Sequence, residues 1–314
     1  MRAVAVAELK APPQLIDAPR PAPGRNEVLV KVEAAGLNPL DWRIADGMLD
    51  GTVPHEFPLI MGVDFAGRVE EAGPGVTRFA VEDAVYGQRL SSPVGSGTYA
   101  EYVVVPQDAP IAKAPDSVPL ATSAGAPTAG MTALEIIDAA GLREYESLLV
   151  VGAAGGVGTF LTQLAAAHDL RVLAATRGHD QRRMGTYGAA LAIDVQEHPL
   201  AERVRDEYPD GVDALVDLAS GPEEFGSHAE LVRNGGVALS TLRAADKDAV
   251  YARTVEAINF AHTSTPEVLE KLAAEIDSGR VIVPITTEVP LDQAPDAVAR
   301  SKAGDARGKT VILA

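Results

Sequence analysis

The chain has 314 residues, 46% of them hydrophobic, which suits two cores better than one. A formal net charge of −17 repels a phosphate backbone, so nucleic acid is not an expected partner. With no cysteine, disulfides and thiolate metal ligands are both excluded.

Met1-Arg2 followed by Ala3-Val4-Ala5-Val6-Ala7 reads as a strand and not as a signal peptide. No apolar run approaches the roughly 20 residues of a membrane helix, so the expected location is the cytoplasm. Strand composition follows at residues 27–36, 65–73, 84–87 and 97–106, punctuated by Gly, Pro and Asp. Many short strands at close spacing predict an antiparallel barrel or sandwich. Near Val118 the rhythm changes. Residues 120–139 are Ala-rich with helical spacing, interrupted by Pro127 and Gly130.

Strands then alternate with helices. Leu148-Leu149-Val150-Val151 is an apolar run of the buried parallel kind. The spacing predicts helix 159–168, strand 171–176, helix 181–187, strand 191–194, strand 214–217, helix 222–232, strand 237–240 and strand 254–260. This rhythm predicts a doubly wound parallel sheet. The tail adds helical stretches at 267–278 and 291–300 and a last strand at 308–313. That strand needs a sheet to join, so the tail is expected to return to the first domain. No internal repeat or low-complexity linker is present.

The strand at 148–151 runs into Ala153-x-Gly155-x-x-Gly158, which opens a helix. Small residues there permit a tight turn and let backbone approach a pyrophosphate, and the helix N-terminus offers unpaired N–H groups. Gly155, Gly156 and Val157 are therefore candidate dinucleotide contacts. The next strand ends in Thr176-Arg177 with no acid at its tip, where an NAD site usually has one for the ribose 2′-hydroxyl. Arg177, Arg182 and Arg183 fall within seven residues of an otherwise acidic chain, a composition that suits the 2′-phosphate of NADP(H). Arg177 is the first choice; one of the other two is expected to be solvated. Asp180 is expected in the loop.

Five segments resemble the medium-chain dehydrogenase/reductase superfamily, and most of all its zinc-free quinone oxidoreductase (zeta-crystallin-like) branch. They are Gly36-Leu37-Asn38-Pro39-Leu40-Asp41, Met61-Gly62-Val63-Asp64-Phe65-Ala66-Gly67, Gly97-Thr98-Tyr99-Ala100-Glu101-Tyr102, Ala153–Gly158 and Arg307-Gly308-Lys309-Thr310-Val311. The resemblance implies an α/β fold: a GroES-like β-barrel domain from residues 1–118, completed by 265–314, and a Rossmann NADP-binding domain at 119–264. It implies a homodimer, with residues 255–260 as the pairing strand. Zinc enzymes of the superfamily carry Cys in the first segment and Gly-His-Glu in the second. Here Asn38 lies near the Cys position and Val63 takes the His position. The six histidines, His179 among them, have no ligand spacing, so no metal is expected.

The resemblance further implies that Asn38 donates to a developing oxyanion, that Asp41 fixes its loop and that Thr132 lies by the nicotinamide. It adds Ser240, Phe260 and Lys309 as cofactor contacts beside Thr176. Trp42, Arg43 and Leu49 are expected in the substrate cleft, Trp42 as an aromatic wall and Arg43 paired with Asp46. Relatives often have aromatic residues where Arg43 and Leu49 stand, and enoyl-thioester reductases a tyrosine near Leu49. Without a Lewis acid, electron-poor acceptors are favoured. The leading expectation is NADPH-dependent quinone reduction by hydride or single-electron transfer. Reduction of α,β-unsaturated ketones or aldehydes is the alternative. An NADPH-binding structural or regulatory protein with little turnover is the reading of another class.

Overall fold

A computed structural model describes residues 1–178, 180–246, 254–305 and 308–314. His179 and Arg307 lie outside the described residues. The chain opens with β1 (Arg2–Val6), β2 (Gln14–Asp17), β3 (Glu27–Gly36) and helix α1 (Pro39–Ala45). It continues through β4 (His55–Ile60), β5 (Asp64–Ala72), β6 (Ala84–Gln88), β7 (Val94–Ser96), β8 (Tyr102–Pro106) and β9 (Ile111–Lys113). Helices α2 (Leu120–Ser123) and α3 (Pro127–Ala140) lead to β10 (Ser147–Val151), α4 (Gly156–Ala167), β11 (Arg171–Thr176), α5 (Gln181–Thr186) and β12 (Leu191–Asp194). Then come α6 (Leu200–Glu207), β13 (Val212–Asp217), α7 (Pro222–Ala229), β14 (Val232–Ser240) and β15 (Glu256–Asn259). The tail is α8 (Pro266–Asp277), β16 (Ile285–Pro290), α9 (Ala294–Ala303) and β17 (Lys309–Leu313).

Two compact units result. One comprises Met1–Met131, Ser264–Gly279 and Val283–Ala314; the other comprises Thr132–Thr263 and Arg280–Ile282. The division falls inside α3, beyond the change of rhythm near Val118, because α2 packs on β3 and β5 of the first unit.

The first unit is β-rich. Its larger sheet has the order β16-β17-β3-β5-β6-β9, with β8 also paired to β3. Shifts of register along β3, at Leu29/Val30 and Val32/Ala34, bend the sheet. A smaller sheet runs β2-β1-β4-β7. One core gathers Val4, Leu59, Met61, Tyr99 and Ile312; another gathers Val30, Phe65, Val85, Val103 and Ile111. β17 lies between β16, to which it is parallel, and β3, to which it is antiparallel. Lys309, the first residue of β17, is thereby carried to Leu37, the residue after β3.

The second unit is the doubly wound sheet expected from the alternating rhythm. Its strand order is β12-β11-β10-β13-β14-β15, every pair parallel. All five residues of β10 are buried, which is why that strand reads as a continuous apolar run.

Two local expectations change. Pro127 does not interrupt a helix: it opens α3, where a missing N–H costs nothing. Gly130 does not break α3 either. A Cβ there would lie 2.6 Å from Leu272 Cδ2, so glycine lets α8 pack closely against the helix. The helix expected over 222–232 ends at Ala229, and the strand expected to start at Val237 starts at Val232.

Candidate active site

The glycine turn joins β10 to α4. Gly152 has φ +81°, a left-handed conformation that L side chains resist. The Gly155 N–H donates to Gly152 O at 3.0 Å, and the Ala153 N–H donates to Ala175 O of β11 at 3.1 Å. A Cβ on Gly158 would sit 2.5 Å from Gly152 O and 2.6 Å from Ala153 Cα, so only glycine lets α4 start this close to the strand. Gly155 is the N-cap of α4 and has no side chain to cap it. The first-turn N–H groups, Gly156 and Val157 among them, are left for an anion. A dinucleotide pyrophosphate fits this cradle.

The tip of β11 differs in detail from the sequence reading. Thr176 is buried and its hydroxyl donates to Ile193 O at 3.4 Å. The Gly178 N–H donates to Asp194 Oδ1 at 3.1 Å, and so does the Gln196 N–H at 3.0 Å. Asp194, at the end of β12, thus fixes the loop that follows β11. Arg177 and Arg182 are exposed. Arg183 is the arginine that turns inward. Its Nη2 donates to Ala154 O of the glycine turn at 3.1 Å and pairs with Asp180 Oδ1 at 3.1 Å. Its Nε is buried without a partner. The sequence groups Arg183 with Arg177 and Arg182 but does not single it out, because spacing does not show which way a residue in the first turn of a helix points.

Two other proposed cofactor residues serve the local fold. The Ser240 hydroxyl oxygen accepts from the N–H groups of Leu242 and Ala244, both at 3.1 Å, and so is committed to the turn after β14. Phe260 is half-buried just after β15, and its N–H donates to Ser240 O at 2.8 Å. Thr132 lies on α3, buried, in the second unit.

The first unit collects Asn38, Asp41 and Lys309 in one buried network. The Asn38 backbone N–H donates to Asp41 Oδ2 at 2.7 Å, half of a capping box at the start of α1. Tyr99 OH donates to the same oxygen at 2.7 Å. The Asn38 amide nitrogen donates to Asp64 Oδ2 at 2.8 Å, with a long contact to Gly36 O at 3.4 Å. Asn38 Oδ1 accepts from Lys309 Nζ at 2.5 Å, and Lys309 also donates to Leu37 O at 3.1 Å. Asp64 lies 3.7 Å from that ammonium and accepts from Thr128 Oγ1 and from the Thr128 N–H.

This network corrects two expectations. Lys309 is buried and its donors face acceptors inside the unit, so it positions Asn38 instead of reaching toward a cofactor. The Asn38 amide is locked by Asp64 and Lys309, so a freely presented oxyanion donor is not what its geometry offers. Burial lowers the Lys309 pKa from its usual range, against the opposing pull of Asp64 and Asp41. Burial lifts the Asp41 carboxyl from its usual 3.8 to about 7, despite the hydrogen bonds from Tyr99 and the Asn38 N–H. Asp64, Tyr99 and Thr128 were not read as site residues from the sequence. Asp64 and Tyr99 stand in the quoted motif segments, but only strand pairing brings them to Asn38.

The expected cleft residues sit on and just after α1. Trp42 and Leu49 are half-buried and pack against the core that contains Ile44, Leu59 and Tyr99. Arg43 is exposed, with its guanidinium 5.3 Å from the Trp42 ring centroid. It does not pair with Asp46, whose carboxylate takes Lys302 at 2.6 Å. α9 packs on α1 and brings that lysine closer.

A zinc ion does not fit beside Asn38. Asn38 Oδ1 already faces an ammonium, the Asp64 oxygens already accept from Asn38 and Thr128, and Val63 offers no donor atom. Among the described residues no group of three or more His, Asp or Glu could hold a metal. None of their helices is long and apolar enough to cross a membrane.

Residues 24–116 match the family profile described as alcohol dehydrogenase GroES-like domain, and residues 187–312 match the one described as zinc-binding dehydrogenase. The chain is 32% identical over 311 residues to a chloroplast envelope quinone oxidoreductase homolog of Arabidopsis thaliana, covering 95% of this chain and 92% of that one. It is 30% identical over 295 residues to an NADPH-dependent alkenal/one oxidoreductase of the same plant, covering 91% and 72%. A mycobacterial protein solved in complex with NADPH superposes with a TM-score of 0.84 at 27% identity, covering 100% of both chains. The chain belongs to the medium-chain dehydrogenase/reductase superfamily, in its quinone oxidoreductase branch.

Proposed function

We propose that this protein is a zinc-independent, NADPH-dependent reductase of quinones. The observation that carries the reading is the uncapped α4 N-terminus behind the glycine turn, a cradle for the pyrophosphate of a dinucleotide. Gly155, Gly156 and Val157 hold the phosphates through backbone N–H groups. Arg177 and Arg182, both exposed beside a strand tip without a free acid, supply positive charge for the 2′-phosphate. The NADPH-complexed structural relative and the NADPH-dependent sequence relative support that choice of cofactor. The cofactor supplies a hydride when bound; the protein binds, orients and excludes water.

The site beside Asn38 cannot polarise a carbonyl with a metal, which favours acceptors that delocalise their own negative charge. Quinones meet that condition, and so do alkenes conjugated to a carbonyl. The enone is the second reading, supported by the alkenal/one oxidoreductase relative. Location in the cytoplasm and a homodimer belong to the same proposal. NADPH consumption with 1,4-benzoquinone, 9,10-phenanthrenequinone, 2-cyclohexen-1-one and an enoyl thioester tests it. Acceleration by a quinone above the others supports the leading reading, and acceleration by the enone alone supports the second. No acceleration by any of them points to a binding protein.

A further inference from the structure

Two joints tie the end of β11 and the start of α5 to the glycine turn, and both lie inside the second unit. The Ala153 N–H donates to Ala175 O, and Arg183 Nη2 donates to Ala154 O, each at 3.1 Å. Asp180, whose N–H donates to Gly178 O at 2.7 Å, pairs its carboxylate with Arg183. A third joint comes from β12. Asp194 Oδ1 accepts from the Gly178 N–H at 3.1 Å and from the Gln196 N–H at 3.0 Å, while the Val195 N–H donates to Thr176 O at 3.0 Å. Gly178 has φ +79°, so its N–H meets Asp194 from a conformation that L side chains resist.

Asp194 is 2% exposed and has no cationic partner among the described residues. A buried carboxylate is costly unless it is hydrogen-bonded, and here both bonds go to backbone, one of them just past the end of β11. Arg177 stands between that strand end and Gly178. It is exposed and pairs with no carboxylate among the described residues. We propose that Asp194 is a positioning residue for cofactor choice: by holding the Gly178 N–H it fixes the backbone that carries Arg177, and so presents that guanidinium to the 2′-phosphate of NADPH. The inference rests on the NADPH reading of this site. A phosphate gains from a guanidinium whose backbone is already ordered, because that ordering cost is met before binding. NADH has a hydroxyl at the same place and gains nothing from it.

The charge of Asp194 works against a phosphate, since like charges repel. Asp194 therefore favours NADPH only through the geometry it imposes, as an acceptor and not as an anion. That distinction separates two substitutions. Asn keeps a side-chain oxygen for both N–H groups and removes the charge. Ala removes the acceptor and the charge together, leaving the Gly178 and Gln196 N–H groups without their partner.

Fluorescence titration of the full chain with NADPH and with NADH, read as the ratio of the two Kd values, tests the proposal. Asp194→Ala should weaken NADPH about tenfold, the scale of two lost backbone hydrogen bonds, and leave NADH unchanged. Asp194→Asn should keep the wild-type preference for NADPH or raise it. In a chain that already carries Arg177→Ala, adding Asp194→Ala should cost NADPH nothing further, because the two residues act as one. Asp194→Ser shortens the reach with less disruption and should lower the preference in the same sense, which decides the matter where Asp194→Ala fails to fold. Equal loss of both cofactors in Asp194→Ala, an unchanged ratio, a preference lost in Asp194→Asn, or additive losses with Arg177→Ala overturns the proposal while the NADPH reading stands. A wild type that binds NADH as tightly as NADPH overturns that reading and the proposal with it.

Discussion

At the scale of single residues, the carboxylates of this chain divide by environment. Asp41 rises to about 7 because burial outweighs its hydrogen bonds. Asp217 is also desolvated, yet His228 and the N–H groups of Ala219 and Ser220 hold it below its usual value. The two affect stability in opposite senses. An unfolded chain releases the Asp41 proton near 3.8 while the folded chain keeps it, so the Asp41 contribution is complete below about 3.8 and is lost as pH rises to about 7. The loss is on the order of 4 kcal/mol. The Asp217 contribution is present above 3.8 and is lost as pH falls below it. Denaturant melts of Asp41→Asn should therefore show a gain over wild type at pH 7.5 that vanishes at pH 4.

The arginines divide in the same way. Arg183 braces Ala154 O, so Arg183→Ala should loosen the turn and weaken NADPH and NADH alike, by roughly tenfold. Arg177 is exposed, so Arg177→Ala should weaken NADPH alone. Fluorescence titration with both cofactors separates the two. Equal loss of NADPH and NADH in Arg177→Ala would remove Arg177 from the 2′-phosphate.

At the scale of elements, the glycine turn is the tightest joint. Gly158→Ala would force a Cβ to within 2.5 Å of the Gly152 carbonyl, and backbone cannot step aside as a flexible side chain can. The expected result is loss of measurable NADPH binding and a lower Tm, read by calorimetry with and without cofactor. Elements are also where sequence reading did best and worst. β10 and β11 were legible because strands buried on both faces read as plain apolar runs. β4 and β16 were not: each exposes half or more of its length, so no alternation marks it. β7 and β9 are three residues each, too short for any period to show.

At the scale of the whole molecule, what the sequence could not reveal is long range. The turn at residues 152–158 is a local pattern and was found from its neighbours alone. The network around Asn38 draws on β5, the segment before β8, the start of α3 and β17, and no spacing rule connects Asn38 to Lys309, 271 residues away. The same range limit hides the quaternary state. β15 ends the order of the parallel sheet, so its outer edge is where the proposed dimer would pair. Sedimentation should give twice the mass of one chain; a monomer over the micromolar range would refute the dimer.

The position of β17 has a further consequence, for synthesis. β3 is made early, yet its neighbour on one side arrives only after the whole doubly wound unit has been translated. Until then the Asn38 and Asp64 side chains lack their ammonium, and the first unit has an open flank. The parallel sheet, continuous but for Arg280–Ile282, has no such wait. Folding on the ribosome should thus run from the middle outward, with the Asn38 network finished last. A chain stopped after Asp305 should retain the fold of the second unit while the first stays open to protease.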